Sequence, residues 1–131
     1  MRYFFILVLS LNFLYMNSQD NLPFYEISNY PESYSEAEIV GRMIDGLGFR
    51  YYWATEGLTE KDLNFRLPND SRSSIETVVH IYDLSNMILN TALNLPIDQK
   101  STEGMEFKEI REKTLFNLKE ASDIFKKTKN F

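Results

Sequence analysis

The residues best suited to chemistry lie around His80, the single histidine of the chain. Glu76 precedes it by four positions and Asp83 follows it by three, so on a helix both carboxylates lie near the imidazole. An imidazole beside a carboxylate can bind a divalent metal ion or transfer a proton. Three interpretations stay open: a structural pairing of His80 with Glu76 or Asp83, a metal position completed by a carboxylate or a second chain, and a general base.

The overall composition narrows the classes of function. The 131 residues are 44% hydrophobic and 25% charged, which is typical of one globular domain. Lysine and arginine number 14 against 19 aspartates and glutamates, and the formal net charge is −5. This charge argues against a nucleic-acid partner, because phosphate binding requires a basic surface. The chain has no cysteine, so no thiolate can act as nucleophile or metal ligand.

The first 18 residues have the order of a secretory signal peptide. A positive start at Arg2 is followed by the apolar run from Tyr3 to Met16 and then by a short polar segment. A transmembrane helix needs about 20 apolar residues, so this run is too short to span a membrane. We expect cleavage after Ser18 or Gln19, no stable membrane anchor afterwards, and export to the periplasm or the medium.

The remaining chain is predicted to be all-α. Residues 19–34, which we call the lead-in, contain Pro23 and Pro31 and are expected to run extended over the domain surface. Residues 35–131 are expected to form an up-down helical bundle with polar connections at 58–72 and 96–104. The capping and breaking residues predict three long helices, from Ser35 to Glu56, from Ser74 to about Asn94, and from Met105 or Glu106 to Lys127.

The apolar residues of these helices exceed what three helices need to cover one another. The surplus consists of Ile81, Leu84 and Ile88 on the second helix and of Leu115 and Phe116 on the third. Because large exposed apolar patches are rare on soluble monomers, we expect a homodimer or a missing fourth helix to cover them. The core faces of the first and third helices are expected to be Ile39, Val40, Met43, Ile44, Leu47, Tyr51 and Ala54, and Phe107, Ile110, Thr114, Leu118, Ala121 and Phe125.

Three aromatic residues of the first helix, Phe49, Tyr52 and Trp53, point away from its expected core face. One interpretation is that they pack beneath the lead-in or the long connection. The other is that they form a dimer surface, because Gly46 and Gly48 allow a second backbone to approach and aromatic residues are enriched at interfaces.

Two segments give the chain a resemblance to a known family. Residues 45–68 (DGLGFRYYWATEGLTEKDLNFRLP) and residues 73–85 (SSIETVVHIYDLS) resemble the DinB/YfiT-like helical bundle proteins, and the likeness covers about residues 35 to 127. This resemblance implies a four-helix bundle, often dimeric, in which many members bind a divalent metal through three histidines. Only His80 matches one of those ligands. The family's fourth helix would follow Phe131, so the chain resembles a truncated or degenerate member.

The resemblance implies two functions of different kinds. The first is an exported DinB-like helical domain with an incomplete metal site at His80, non-catalytic or a shortened copy. The alternative is a metal-dependent enzyme of the thiol-dependent transferase or hydrolase type. In that case zinc or nickel would be held by His80 together with residues of another chain.

Overall fold

A computed structural model of the protein describes residues 22–30, 33–98 and 100–128. Within them the chain forms the helices α1 (Glu36–Thr55), α2 (Glu60–Leu63), α3 (Ser74–Ala92) and α4 (Phe107–Lys127). These described ranges contain no β-strand, only an isolated antiparallel bridge between Arg66 and Ser73. The all-α prediction is therefore confirmed. The predicted signal peptide lies outside the described residues, and no helix within them is long and apolar enough to cross a membrane.

Capping residues fix the starts of α1 and α3. The Ser35 hydroxyl accepts from the Glu38 N–H at 3.3 Å, and the Glu38 carboxylate accepts from the Ser35 N–H at 2.8 Å. Ser73 and Glu76 make the same reciprocal pair at the start of α3. Each pair satisfies backbone donors that a helix start leaves free. The predicted starts of both helices are thus confirmed, and α4 begins after Glu106 as expected.

The polar connection predicted at residues 58–72 contains a short helix, α2, which corrects that prediction. Thr59 and Asp62 form a third reciprocal capping pair, in which the Thr59 N–H donates to the Asp62 carboxylate at 2.9 Å. The spacing of a threonine and an acid three residues later is the same signal that marks Ser73 and Glu76. Only four helical residues follow it, too few for an apolar periodicity to indicate a helix.

α4 lies between the other two long helices. α1 runs antiparallel to it, since Ser122 bonds to Gly41 near the start of α1 and Arg111 bonds to Thr55 at its end. α3 runs parallel to α4. Its early residue Val78 clusters with Ile110, and its late residue Leu89 clusters with Leu118 and Ala121. The up-down alternation therefore holds between α1 and α3 but not between α3 and α4. Because α3 and α4 are parallel, the segment that connects them runs back along the length of α3.

The core face predicted for α4 is confirmed at its four central positions, and Phe107 and Phe125 at its ends are half-buried. Ile110, Thr114, Leu118 and Ala121 are at most 3% exposed. Phe116, expected to lie off this face, is 48% exposed, but Leu115 is fully buried and that expectation was wrong. A helix that packs against neighbours on two sides buries a wider arc than one stripe, and Leu115 falls within it.

The face that α1 turns to α4 differs from the predicted one. Ile44 and Tyr51 are buried as expected and Val40 is half-buried, but Ile39, Met43 and Leu47 are 46%, 70% and 41% exposed. Ala54 is also exposed. The buried side of α1 instead carries small and polar residues, namely Ala37, Gly41, Asp45, Gly48 and Thr55. A Cβ atom at Gly41 would lie 2.8 Å from Lys126 Cγ, so this small-residue face permits α4 to approach closely.

α3 shows the expected excess of apolar surface in part. Val78, Tyr82 and Leu89 are buried in the core. Ile81 and Ile88 are half-buried, and Leu84 is 41% exposed.

Candidate functional site

His80 lies on α3 and is half-buried. The carboxylate of Glu76 accepts from Arg66 at 2.7 Å and from the Ser73 N–H at 2.8 Å, and these donors lower the pKa of Glu76. Glu76 is therefore bonded to the helix start and to Arg66, and no hydrogen bond between it and His80 is found among the described residues. Within the described part of the chain, no hydrogen bond or ion pair joins His80 to Asp83 either.

No metal-binding group forms around His80 among the residues that the structure describes. Across residues 22–30, 33–98 and 100–128, no three side chains of histidine, aspartate or glutamate lie close enough together to hold an ion. The role of His80 as a metal ligand therefore stays a prediction that depends on ligands from elsewhere.

Among the described residues, Asp45 is a buried carboxylate that accepts from three different side chains, and sequence analysis missed it. Asp45 is 2% exposed, and its carboxylate accepts from Ser122 Oγ and Lys126 Nζ, each at 2.5 Å. The Ser28 hydroxyl of the lead-in donates to it as well. Burial favours the neutral acid, but the bonds from Lys126, Ser122 and Ser28 outweigh burial and hold the pKa of Asp45 below its ordinary value. Asp45 thus joins the lead-in, α1 and α4.

A second charged cluster lies at the other end of the α1–α4 contact. Arg111 is 8% exposed, and its Nε donates to Thr55 Oγ1 at 2.9 Å. Its Nη2 donates to the Glu56 carboxylate at 2.5 Å and to the Tyr52 carbonyl at 3.2 Å. The guanidinium also lies 4.7 Å from the centre of the Tyr52 ring, within the range of a cation–π contact. The donors of Arg111 are therefore engaged in holding the two helices together.

Amide and hydroxyl groups make the matching contact between α3 and α4. The side-chain nitrogen of Asn117 donates to Ser85 Oγ and to Asn86 Oδ1, both at 3.0 Å. Ser85 and Asn86 are at most 2% exposed, so these bonds satisfy polar groups that burial would otherwise leave unpaired.

The aromatic surface consists of Tyr25 from the lead-in and Tyr52 and Trp53 from α1. The ring of Tyr25 lies 5.8 Å from that of Tyr52 and 5.2 Å from that of Trp53, measured between centres. The indole N–H of Trp53 donates to the Tyr25 carbonyl at 3.2 Å. Tyr25 and Trp53 are still 57% and 47% exposed. Packing against the lead-in, one of the two interpretations of Tyr52 and Trp53, is therefore what the structure shows.

Gly48 is what lets the lead-in approach α1. A Cβ atom there would lie 2.5 Å from the ring of Phe24, so the ring occupies the space that any side chain would need. Gly46, the other glycine considered, faces only the end of the Arg50 side chain. Phe49 is half-buried beside this contact. The aromatic surface is consequently held by one close contact and one hydrogen bond.

Comparisons with known proteins do not add a relative. No protein-family model matches the chain, and neither the curated proteins nor the solved structures gave a match. The DinB-like resemblance therefore rests on the two quoted segments alone.

The candidate site that the geometry supports best is the aromatic surface of Tyr25, Tyr52 and Trp53.

Proposed function

We propose that the chain is an exported, non-catalytic helical domain that binds a protein partner through the aromatic surface. The observation that carries this proposal is that Tyr25 and Trp53 are half-exposed and yet held in place. Large aromatic side chains that are already ordered lose little conformational freedom on binding, and they dominate the energy of many interfaces. Such a surface suits an apolar segment of a partner protein.

The hydrogen bonds that already engage the two charged clusters support a binding role over catalysis. Asp45 and Arg111 are the buried charged residues of the described chain, and both are bonded to several groups of neighbouring helices. A general acid or base needs a proton-transfer partner in a substrate, but here the partners are structural. This engagement of Asp45 and Arg111 favours a binding function at the surface.

Export of this DinB-like domain is part of the same proposal. The succession of positive, apolar and polar residues in 1–20 supports export. N-terminal sequencing of the protein from the producing cells should begin near Gln19, and a protein that keeps Met1 in the cytoplasm would overturn this part.

The partner is tested with a photo-crosslinking amino acid placed at Tyr25 or Trp53 of the full chain. We expect one discrete crosslinked protein at both positions and none at the control position Lys61, which is exposed on α2 and makes no ring contact with the aromatic surface. Trp53 is the only tryptophan, so its fluorescence should change when the purified partner is added. Equal crosslinking at Lys61, or an unchanged emission, would contradict the proposal.

Metal analysis tests the non-catalytic assignment separately. One imidazole with scattered carboxylates should bind zinc or nickel weakly, so dialysis should remove either ion from the purified protein. Stoichiometric metal that survives dialysis and is lost in His80→Ala would instead support the metal-dependent enzyme.

A further inference from the structure

The outer side of α1 carries a stripe of five exposed residues whose spacing is symmetric about its central residue. The stripe consists of Glu36, Ile39, Met43, Leu47 and Arg50, at successive spacings of three, four, four and three residues. Met43 is at the centre, an aliphatic residue stands four positions to each side of it, and opposite charges close the two ends. Ile39, Met43 and Leu47 are 46%, 70% and 41% exposed.

This stripe lies on the side of α1 opposite to α4. The side of α1 that contacts α4 carries Gly41 and Asp45, which bond to Ser122. With 3.6 residues per turn, the five stripe residues lie on the opposite side of the helix from these two. The stripe also excludes Tyr52 and Trp53, so it is separate from the aromatic surface.

We propose that the stripe binds a second copy of this chain, with the two α1 helices packed antiparallel about a two-fold axis at Met43. In that arrangement Met43 meets Met43 of the partner subunit. Ile39 meets the partner's Leu47, and Glu36 meets the partner's Arg50. Three- and four-residue spacings of apolar residues are those that allow side chains of paired helices to interdigitate. This inference goes beyond the proposed function and uses a different surface.

Charge complementarity selects a second copy over other occupants. Glu36 and Arg50 each lie about 10 Å along the axis from Met43, so a two-fold axis there brings unlike charges together at both ends. The antiparallel arrangement also sets each helix start beside the partner's helix end, which the helix dipoles favour. An unrelated partner would not require a stripe with this symmetry. Arg50 donates to the Gly46 carbonyl at 2.9 Å, and its exposed guanidinium can turn from that bond to a carboxylate.

Crosslinking at the axis tests the geometry. The chain has no cysteine, so Met43→Cys in the full chain introduces a single thiol. With an added oxidant or a short bismaleimide we expect most of this variant to become covalent dimer. The control variants Glu112→Cys on α4 and Leu84→Cys on α3 should stay monomeric under the same treatment.

Two outcomes of this experiment would overturn the proposal. One is crosslinking of the α3 thiol in place of the α1 thiol. The other is a Met43→Cys variant that stays monomeric with both the oxidant and the bismaleimide.

Charge reversal tests the pairing itself by sedimentation equilibrium. Glu36→Arg and Arg50→Glu should each raise the dimer dissociation constant about tenfold, because each change affects two symmetry-related pairs. The double variant should restore the original constant, an outcome that a general loss of folding cannot produce. Circular dichroism checks that each variant keeps its helix content. A concentration-independent monomer, or a double variant no better than the single ones, would overturn the proposal.

Discussion

Asp45 is the side chain on which the junction of the lead-in, α1 and α4 depends. Asp45→Asn keeps the size and removes the charge, leaving Lys126 without its counter-ion. Because Lys126 is 34% exposed, we expect a loss of about 3 kcal/mol in the free energy of unfolding at pH 7, at the low end for a broken buried pair. Urea denaturation measures this loss.

The pH dependence gives the same residue a second test. The pKa of Asp45 is lowered in the folded state, so its contribution is present above the ordinary value of about 3.9 and disappears as the pH falls below it. The difference between wild type and Asp45→Asn should therefore shrink between pH 7 and pH 3. Asp123→Asn, which removes an exposed pair with Lys119, should cost less than about 1 kcal/mol. A difference that is constant with pH would contradict this assignment.

The contrast between His80 and Asp45 shows how far a site can be predicted from sequence. His80 was singled out by its chemistry and its neighbours along the helix. Asp45 owes its environment to Ser122 and Lys126, which are 77 and 81 residues away along the chain. The spacing of residues within one helix does not predict contacts over such distances along the chain. The sequence can therefore indicate which side chains have reactive groups, but not which of them form hydrogen bonds in the fold.

The contact of the lead-in with α1 depends on Gly48. Gly48→Ala should push the Phe24 ring from its place and destabilise the protein by about 1–3 kcal/mol, as other overpacking substitutions do. Trp53 emission should shift to the red and proteolysis within residues 22–30 should accelerate.

Gly46→Ala is the matched control, two residues earlier on the same helix. Its Cβ would meet only the flexible end of Arg50, at 3.1 Å. Since alanine favours a helix by about 0.5–1 kcal/mol over glycine, this variant should be slightly more stable than wild type. Thermal melts compare the two variants, and equal effects at both glycines would contradict the role given to Phe24.

The limits of the elements were predictable because they are local. Ser35 with Glu38 and Ser73 with Glu76 carry their capping partners within one turn. The buried face of α1 was not predictable in the same way. Hydrophobicity predicts Met43 in the core, but the close contacts of α1 with α4 and with Phe24 of the lead-in require Gly41 and Gly48 there. Packing against segments distant in the chain determines which face of α1 is buried, and apolar periodicity alone does not predict it.

The parallel course of α3 and α4 can be measured in the intact molecule. Spin labels on cysteines introduced at Thr91 and Glu120 should be close, since the late residues of both helices share one cluster. Labels at Thr91 and Glu109 should be about 16 Å further apart along the axis, from a rise of 1.5 Å per residue. Electron spin resonance distances decide the point, and the reverse order would mean an antiparallel pair.

The central position of α4 has a consequence for how the chain acquires its structure during synthesis. No Cα atom of α1 lies within 8 Å of a Cα atom of α3, and both helices pack on α4. Of the described helices, α4 is the last to leave the ribosome, so α1 and α3 lack their main packing surface until then. Contacts between α1 and α4 span long stretches of chain, and such contacts form slowly because the intervening loop must close first. A nascent chain of this design therefore acquires its contacts between the long helices only after α4 has been synthesised.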